Sequence, residues 1–286
     1  MPDDVDLSSY AKLCDRLLFS WASPHVLKVE LNGPRHNAMG MEFWGGMRGA
    51  FAQIRKDKRI RAVVICGHGS HFSSGLDLSD AGVFGVLADK GLDVARKALR
   101  FRDQVEDMQE SFTAMERCPQ PVVAAIHGAC IGAGIDLITA CCVRYCAIDT
   151  RFSVREVAIG LCADVGTLQR LPKVVGCQSW VRELSLTGRD FDAEEARCFG
   201  LVSKVLPSKE ATVAAATELA SAIAAHSPVA VVGTKQSLNY SRDVSVAQGL
   251  EAVRTWNGFA LQTEDIPKVI ENKMQRRKAP PAFSKL

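Results

Sequence analysis

The 286-residue chain is notable first for what it does not contain. No uninterrupted apolar run approaches the ~18 residues of a membrane-spanning helix, so no span is expected. Charge of either sign is not in excess: 35 basic against 32 acidic residues give a formal net charge of +3. That balance announces neither nucleic acid nor a membrane surface as partner. Aromatic residues make up only 7%, and no aromatic-rich stacking motif accompanies the basic run "KMQRRK" (273–278), which reads better as a solvated helix end than as a nucleic-acid patch. The chain has no G-x-G-x-x-G, no G-x-x-x-x-G-K-[ST] and no G-x-S-x-G, so dinucleotide, P-loop and nucleophile-elbow chemistry have no anchor. Ten cysteines are present but no C-x-x-C pair, which argues against zinc and thioredoxin-type sites. Scattered through apolar segments, they read as small buried hydrophobes in a reducing compartment. The opening "MPDDVDLSSYAKLC" is acidic, without the apolar stretch of a secretory signal or the Arg-rich, acid-poor look of a transit peptide.

What the chain does have is 47% hydrophobic and 23% charged residues, an ordinary globular composition with enough apolar residues for a sizeable core. "HVLKVEL" (25–31) alternates like a half-buried strand, and helical spacing runs through Phe43, Met47, Phe51 and Ile54. "RAVVIC" (61–66) is a continuous apolar strand, and a long helical region is expected over about 90–117. "QPVVAAIHGACIGAG" is a buried strand running into a glycine-rich turn, with a helix opening directly after it. "VRYCAID" and "RFSV" are short strands, and from about 165 the chain reads as mainly helical. Strands alternating with helices predict an α/β fold with buried, mostly parallel pairing. Residues 1–207 are expected to form the core and 208–286 a helical C-terminal region.

Two glycine loops, "FSSGLD" (72–77) and "IGAGID" (131–136), follow apolar strands. Small residues let a ligand oxygen approach backbone donors, and the start of a helix offers N–H groups without internal partners. Close behind the second loop the sequence places three acids, Asp136, Glu156 and Asp164, in mostly apolar surroundings. Each has an ordinary local explanation. Asp136 suits the first turn of a helix, Glu156 could pair with neighbouring Arg155, and Asp164 could cap the helix that follows.

The series "HFSSGLDL", "AAIHGACIGAGIDLITACCVRYCA" and "FSVREVAIGLCADVGTLQRLPKVVG" resembles the crotonase (enoyl-CoA hydratase/isomerase) superfamily from about residue 20 to 265. Within it the pattern is most similar to the Δ3,5-Δ2,4-dienoyl-CoA isomerases, because a hydratase would carry Glu in place of Asp136 and Gly or Ala in place of Asp164. The resemblance implies a spiral of ββα repeats with a helical C-terminal region that assembles trimers or hexamers. It further implies an acyl-CoA thioester as substrate, with no separate cofactor and no metal. Its carbonyl would sit between the backbone N–H groups of Leu76 and Ala133, with Ser74, Gly75, Asp77 and Leu78 lining the substrate site and Arg35 near the CoA phosphates. Many relatives carry Gly where Ala133 stands; Ala supplies the same N–H but requires a φ permitted to an L residue. Asp136, Glu156 and Asp164 would be the catalytic acids, the latter two as the proton-transfer pair.

The chemistry explains that equipment. A proton α to a thioester is weakly acidic, so its loss requires stabilisation of the enolate oxygen, for which one hydrogen-bond donor is typically worth ~2.7–4 kcal/mol. Moving a 3,5-diene to a 2,4-diene removes a proton at C2 and adds one at C6, which two carboxyls of raised pKa can do. Six histidines are present; His68, His71 and His127 flank the loops without triad or metal spacing and read as structural or pocket-lining. The alternatives are a 2-enoyl-CoA hydratase and, from a different class, an RNA-binding relative. The terminal Ser284-Lys285-Leu286 matches the tripeptide read by the peroxisomal import receptor, so a peroxisome, or a related organelle such as the glycosome, is expected ahead of a mitochondrion.

Overall fold

A computed structural model describes residues 6–277 and 279–285, so the last residue of the Ser284-Lys285-Leu286 tripeptide and Lys278 of the basic run lie outside the described residues. Among the described residues nine strands form two sheets. The larger contains β1 (Leu17–Ser23), β2 (Val26–Leu31), β3 (Ala62–Gly67), β4 (Val122–Ile126), β6 (Val143–Ala147) and β9 (Lys204–Leu206), in the order β1-β2-β3-β4-β6-β9. The smaller orders β5 (Ala129–Ile131), β7 (Arg151–Ser153) and β8 (Asp190–Asp192) as β5-β7-β8. Pairing is parallel except at β1–β2 and β7–β8, as continuous apolar strands separated by helices require. The mixed α/β architecture expected from the sequence is present.

Side-chain alternation divides the central strands between two layers. Val63 and Ile65 of β3, with Val122, Ala124 and Ile126 of β4, face the main core, where Phe43, Met47 and Phe51 of the helix Met41–Ile54 and Phe112 and Met115 of the helix Val94–Arg117 are buried. Ala62, Val64, Cys66, Val123 and Ala125 point the other way. They meet Ala216, Ala220 and Ala224, which recur every four residues along one stripe of the helix Lys209–Ala224. Small side chains on both surfaces let helix and sheet approach closely. The helix that begins the C-terminal region thus packs as a layer on the back of the sheet. The helices Pro228–Ser241, Val246–Ala260 and Asp265–Met274 follow it.

The helical region expected over about 90–117 is the helix Val94–Arg117, and a separate helix, Ala81–Ala88, precedes it; each is started by an Asp side chain that accepts a backbone N–H, Asp80 from Gly82 and Asp93 from Arg96. The three-residue strands β8 and β9, inside the stretch read as mainly helical, are too short to carry a recognisable period. All ten cysteines are free; six are buried, whereas Cys142, Cys162 and Cys198 are exposed. Among the described residues no single helix is long and apolar enough to cross a membrane.

Candidate active site

The two glycine loops lie side by side. Ser73 N–H donates to Ala129 O (2.9 Å) and Ile131 N–H to Ser73 O (3.0 Å), so the first loop pairs with β5. Gly75 adopts φ +88°, and a Cβ there would meet Ile131 O at 2.8 Å; only glycine allows both the left-handed backbone and this approach. In the second loop the unusual conformation falls on Gly132 (φ 50°, ψ −115°), after which Ala133 opens the helix Ala133–Thr139. The strained position is therefore one residue earlier than Ala133, which is free of a positive φ, and alanine fits.

Neither the Leu76 nor the Ala133 N–H donates to any group among the described residues. Their directions are nonetheless fixed, because a trans peptide points its C=O and N–H oppositely. Gly75 O accepts from Met39 N–H (2.8 Å), and Gly132 O accepts from Ile135 N–H (2.7 Å). Each preceding carbonyl is thus held away, leaving the following amide hydrogen to face the cleft. Leu76 and Ala133 both line that cleft, a cavity of about 110 Å³ whose walls also include Trp44, Met108, Ile131, Ile159 and Val165.

Asp136, Glu156 and Asp164 all reach the same cavity. Asp136 is buried, and its Oδ1 accepts the N–H of Thr167, the first residue of the helix Thr167–Val174. Burial raises its pKa to about 6, against the opposing pull of Thr167 and Arg170. Glu156 begins a 3-10 turn, Glu156–Ile159, directly after β7. Its pKa rises to about 7, first from burial and then from the neighbouring Asp136 charge. Its Oε2 is buried with no hydrogen-bond partner among the described residues, an arrangement that costs free energy unless a ligand or proton uses it. Asp164 stands at the mouth, reached by solvent on one side and walled by the cleft on the other. That partial burial still raises its carboxyl above the ordinary value.

The ordinary explanations for two of the acids fail here. Arg155 pairs with Asp190 rather than Glu156, and the helix after Asp164 is preceded by Gly166 with no side-chain cap. Asp136 does lie in a first turn, but its carboxylate serves a different helix. Ser74, Gly75 and Leu78 line the cleft as expected. Arg35 and Asp77 do not; they pair with each other at 3.2 Å beside it, and Asp77 also accepts from Ser79. The histidines are not pocket-lining: His71 Nδ1 accepts from Ala129 N–H, the His127 ring contacts Gly69 O, and His68 is exposed. The sequence reading missed Trp44, Met108, Ile159 and Leu161 as cleft residues, since an apolar pocket wall carries the same pattern as a core.

Residues 22–281 match the family described as enoyl-CoA hydratase/isomerase, and the chain belongs to that family. It is 51% identical over 267 residues to the human protein named Delta(3,5)-Delta(2,4)-dienoyl-CoA isomerase, mitochondrial, across 93% of this chain and 81% of that one. It is 42% identical to the peroxisomal protein of that name from Arabidopsis thaliana, across 91% and 93%. Of solved structures, an enoyl-CoA hydratase from Bacillus anthracis superposes with a TM-score of 0.83 at 27% identity, across 94% of this chain and 98% of that one.

Proposed function

We propose that this chain converts a 3,5-dienoyl-CoA into the 2,4-dienoyl-CoA. The thioester oxygen accepts from Leu76 and Ala133 N–H. One of the pair Glu156 and Asp164, ionised, removes a proton from C2; the negative charge spreads as a dienolate onto the held oxygen. The other, protonated, delivers a proton to C6, and the double bonds come to rest at C2 and C4. Asp136, fixed by Thr167, holds the second loop and raises the pKa of Glu156 through its charge. The single observation that carries the reading is the buried, unpartnered Oε2 of Glu156 in the cleft shared with both free amides.

The test is an ultraviolet assay of a 3,5-dienoyl-CoA, following the conjugated product. Wild type forms product with no added nucleotide or metal, and Glu156→Gln lowers kcat at least a hundredfold, about the contribution of a general base or acid. A silent wild type that hydrates crotonyl-CoA instead would make hydration the activity. No cofactor beyond the CoA carried by the substrate is required by this scheme.

Assembly and address belong to the same proposal. Every residue of the helix Val246–Ala260 is at least partly exposed, and Val246, Leu250, Phe259 and Leu261 present apolar surface. That surface supports burial against further copies, in trimers or pairs of trimers. Relatives carry both peroxisomal and mitochondrial names; Ser284-Lys285-Leu286, where it forms a free end, supports the peroxisome.

A further inference from the structure

The first loop is aimed by a second segment of chain, Arg35 to Met39. Arg35, His36 and Asn37 adopt φ of 48°, 65° and 63°, three successive left-handed residues of which none is glycine. Asn tolerates that region better than most residues, but three in a row cost free energy that other contacts must offset. Besides the local bonds of Asn37 N–H to Gly33 O and Ala38 N–H to Pro34 O, those contacts are with the first loop and the residues leading into it.

Asn37 is 4% exposed, and its Nδ2 donates toward three backbone carbonyls: His68 O and His71 O at 2.9 Å and Phe72 O at 3.2 Å. Its own carbonyl accepts from the fully buried Ser73 Oγ at 2.8 Å. That same Oγ accepts from Gly75 N–H at 3.1 Å. Ser74 N–H donates to His36 O (3.0 Å) and Ser74 Oγ to Arg35 O (2.8 Å). Met39 N–H then takes Gly75 O, and Met39 O takes Asp77 N–H (3.1 Å). The peptide between Gly75 and Leu76 is thus fixed on both sides by one brace, and the free Leu76 N–H has a single direction left.

We propose that Asn37 and Ser73 are positioning residues whose hydrogen bonds aim the Leu76 amide at the oxygen of the enolate. This rests on the isomerase reading above and extends it. An oxyanion donor acts through placement at the point where charge develops, so a small rotation costs transition-state stabilisation more than ground-state binding. Removing the brace therefore lowers kcat and leaves KM for the thioester nearly alone.

The experiment compares wild type, Asn37→Gly, Asn37→Asp and Ser73→Ala. Glycine keeps the left-handed backbone while deleting the side chain; aspartate keeps size and shape but has no N–H to give. The expected result is a fall in kcat on the order of tenfold to a hundredfold for each, with KM within about twofold and cooperative unfolding retained. Aspartate does not rescue. Independently, a bound 2,4-dienoyl-CoA absorbs at longer wavelength as its carbonyl is polarised, and this red shift shrinks in the variants. A kcat within twofold of wild type in folded Asn37→Gly and Ser73→Ala, a loss carried by KM alone, or an unchanged red shift overturns the proposal. Should wild type itself form no product, the isomerase reading falls, and the red shift of the bound thioester still decides the brace.

Discussion

The two loops present the same kind of group, a free backbone amide, but obtain it differently. In the second the amide is aimed locally: Gly132, whose N–H is held by Ser153 O, turns the chain, its carbonyl accepts from Ile135 N–H three residues on, and Ala133 faces the cleft as the opening residue of a helix. The first is held from a distance, by a segment some 36 residues earlier in the chain. Gly132 of the second loop lies close to Glu156, whereas the acid carried by the first loop, Asp77, is turned aside to Ser79 and Arg35. One loop is thus clamped by hydrogen bonds from a distant segment, and the other lies against titrating carboxyls.

A methyl group added to each loop separates the two most strongly. In Gly75→Ala the new Cβ meets backbone, Ile131 O at 2.8 Å, on top of a φ of +88°. Backbone cannot yield easily, so a stability loss of about 3 kcal/mol or more and a kcat loss above a hundredfold are expected. In Gly132→Ala the nearest atom is a side-chain carboxylate oxygen, Glu156 Oε1 at 3.3 Å, which can shift. Here strain of about 1–3 kcal/mol from the positive φ dominates, with a smaller fall in kcat. Urea unfolding and steady-state kinetics read both. Equal effects in the two variants would mean that the loops are held with equal rigidity.

Glu156 titrates at about 7 in the folded protein against 4.5 ordinarily, and Asp136 at about 6 against 3.8. The folded state binds these protons more tightly than the unfolded chain, so the contribution of these two carboxyls to stability is greatest below their ordinary values. It declines as pH rises through the interval to about 7, and is flat above. Glu156 alone accounts for at most about 3 kcal/mol of that decline. Glu156→Gln should therefore raise Tm at pH 8 and lose the advantage near pH 4, while abolishing activity. A variant no more stable at pH 8 than wild type would show that the carboxyl is not destabilised by its surroundings. In the active enzyme the requirement for one ionised and one protonated carboxyl makes kcat bell-shaped, with one limb near 7.

The smallest effect should come from Arg35→Ala. The guanidinium is 66% exposed and outside the cleft lining, so stability should change by no more than about 0.5 kcal/mol and kcat by less than twofold. A rise in KM confined to CoA thioesters, absent for shorter pantetheine thioesters, would place this side chain on the CoA phosphates.

The same contrast explains what could be read from sequence. The second loop was legible because its determinants are contiguous: a strand, a glycine, an alanine opening a helix and an acid in the first turn. Glu156 and Asp164 were legible only together with the family pattern, since each alone has a commonplace role. The brace by Asn37 was not, because "GPRHNAM" announces a turn but not what its side chains reach. Nor was the place of the helix Lys209–Ala224, whose alanines every fourth residue look like high helix propensity until the alanine- and valine-rich back of the sheet is seen beside them.

That helix gives the molecule a working side and a bearing side. Trp44 and Met108 of the cleft belong to helices on one surface of the sheet, and the alanine stripe lies on the opposite one. Substitutions along the stripe should alter how many molecules survive intact without altering what each survivor does, so a screen scored per active molecule would overlook an entire layer of the architecture.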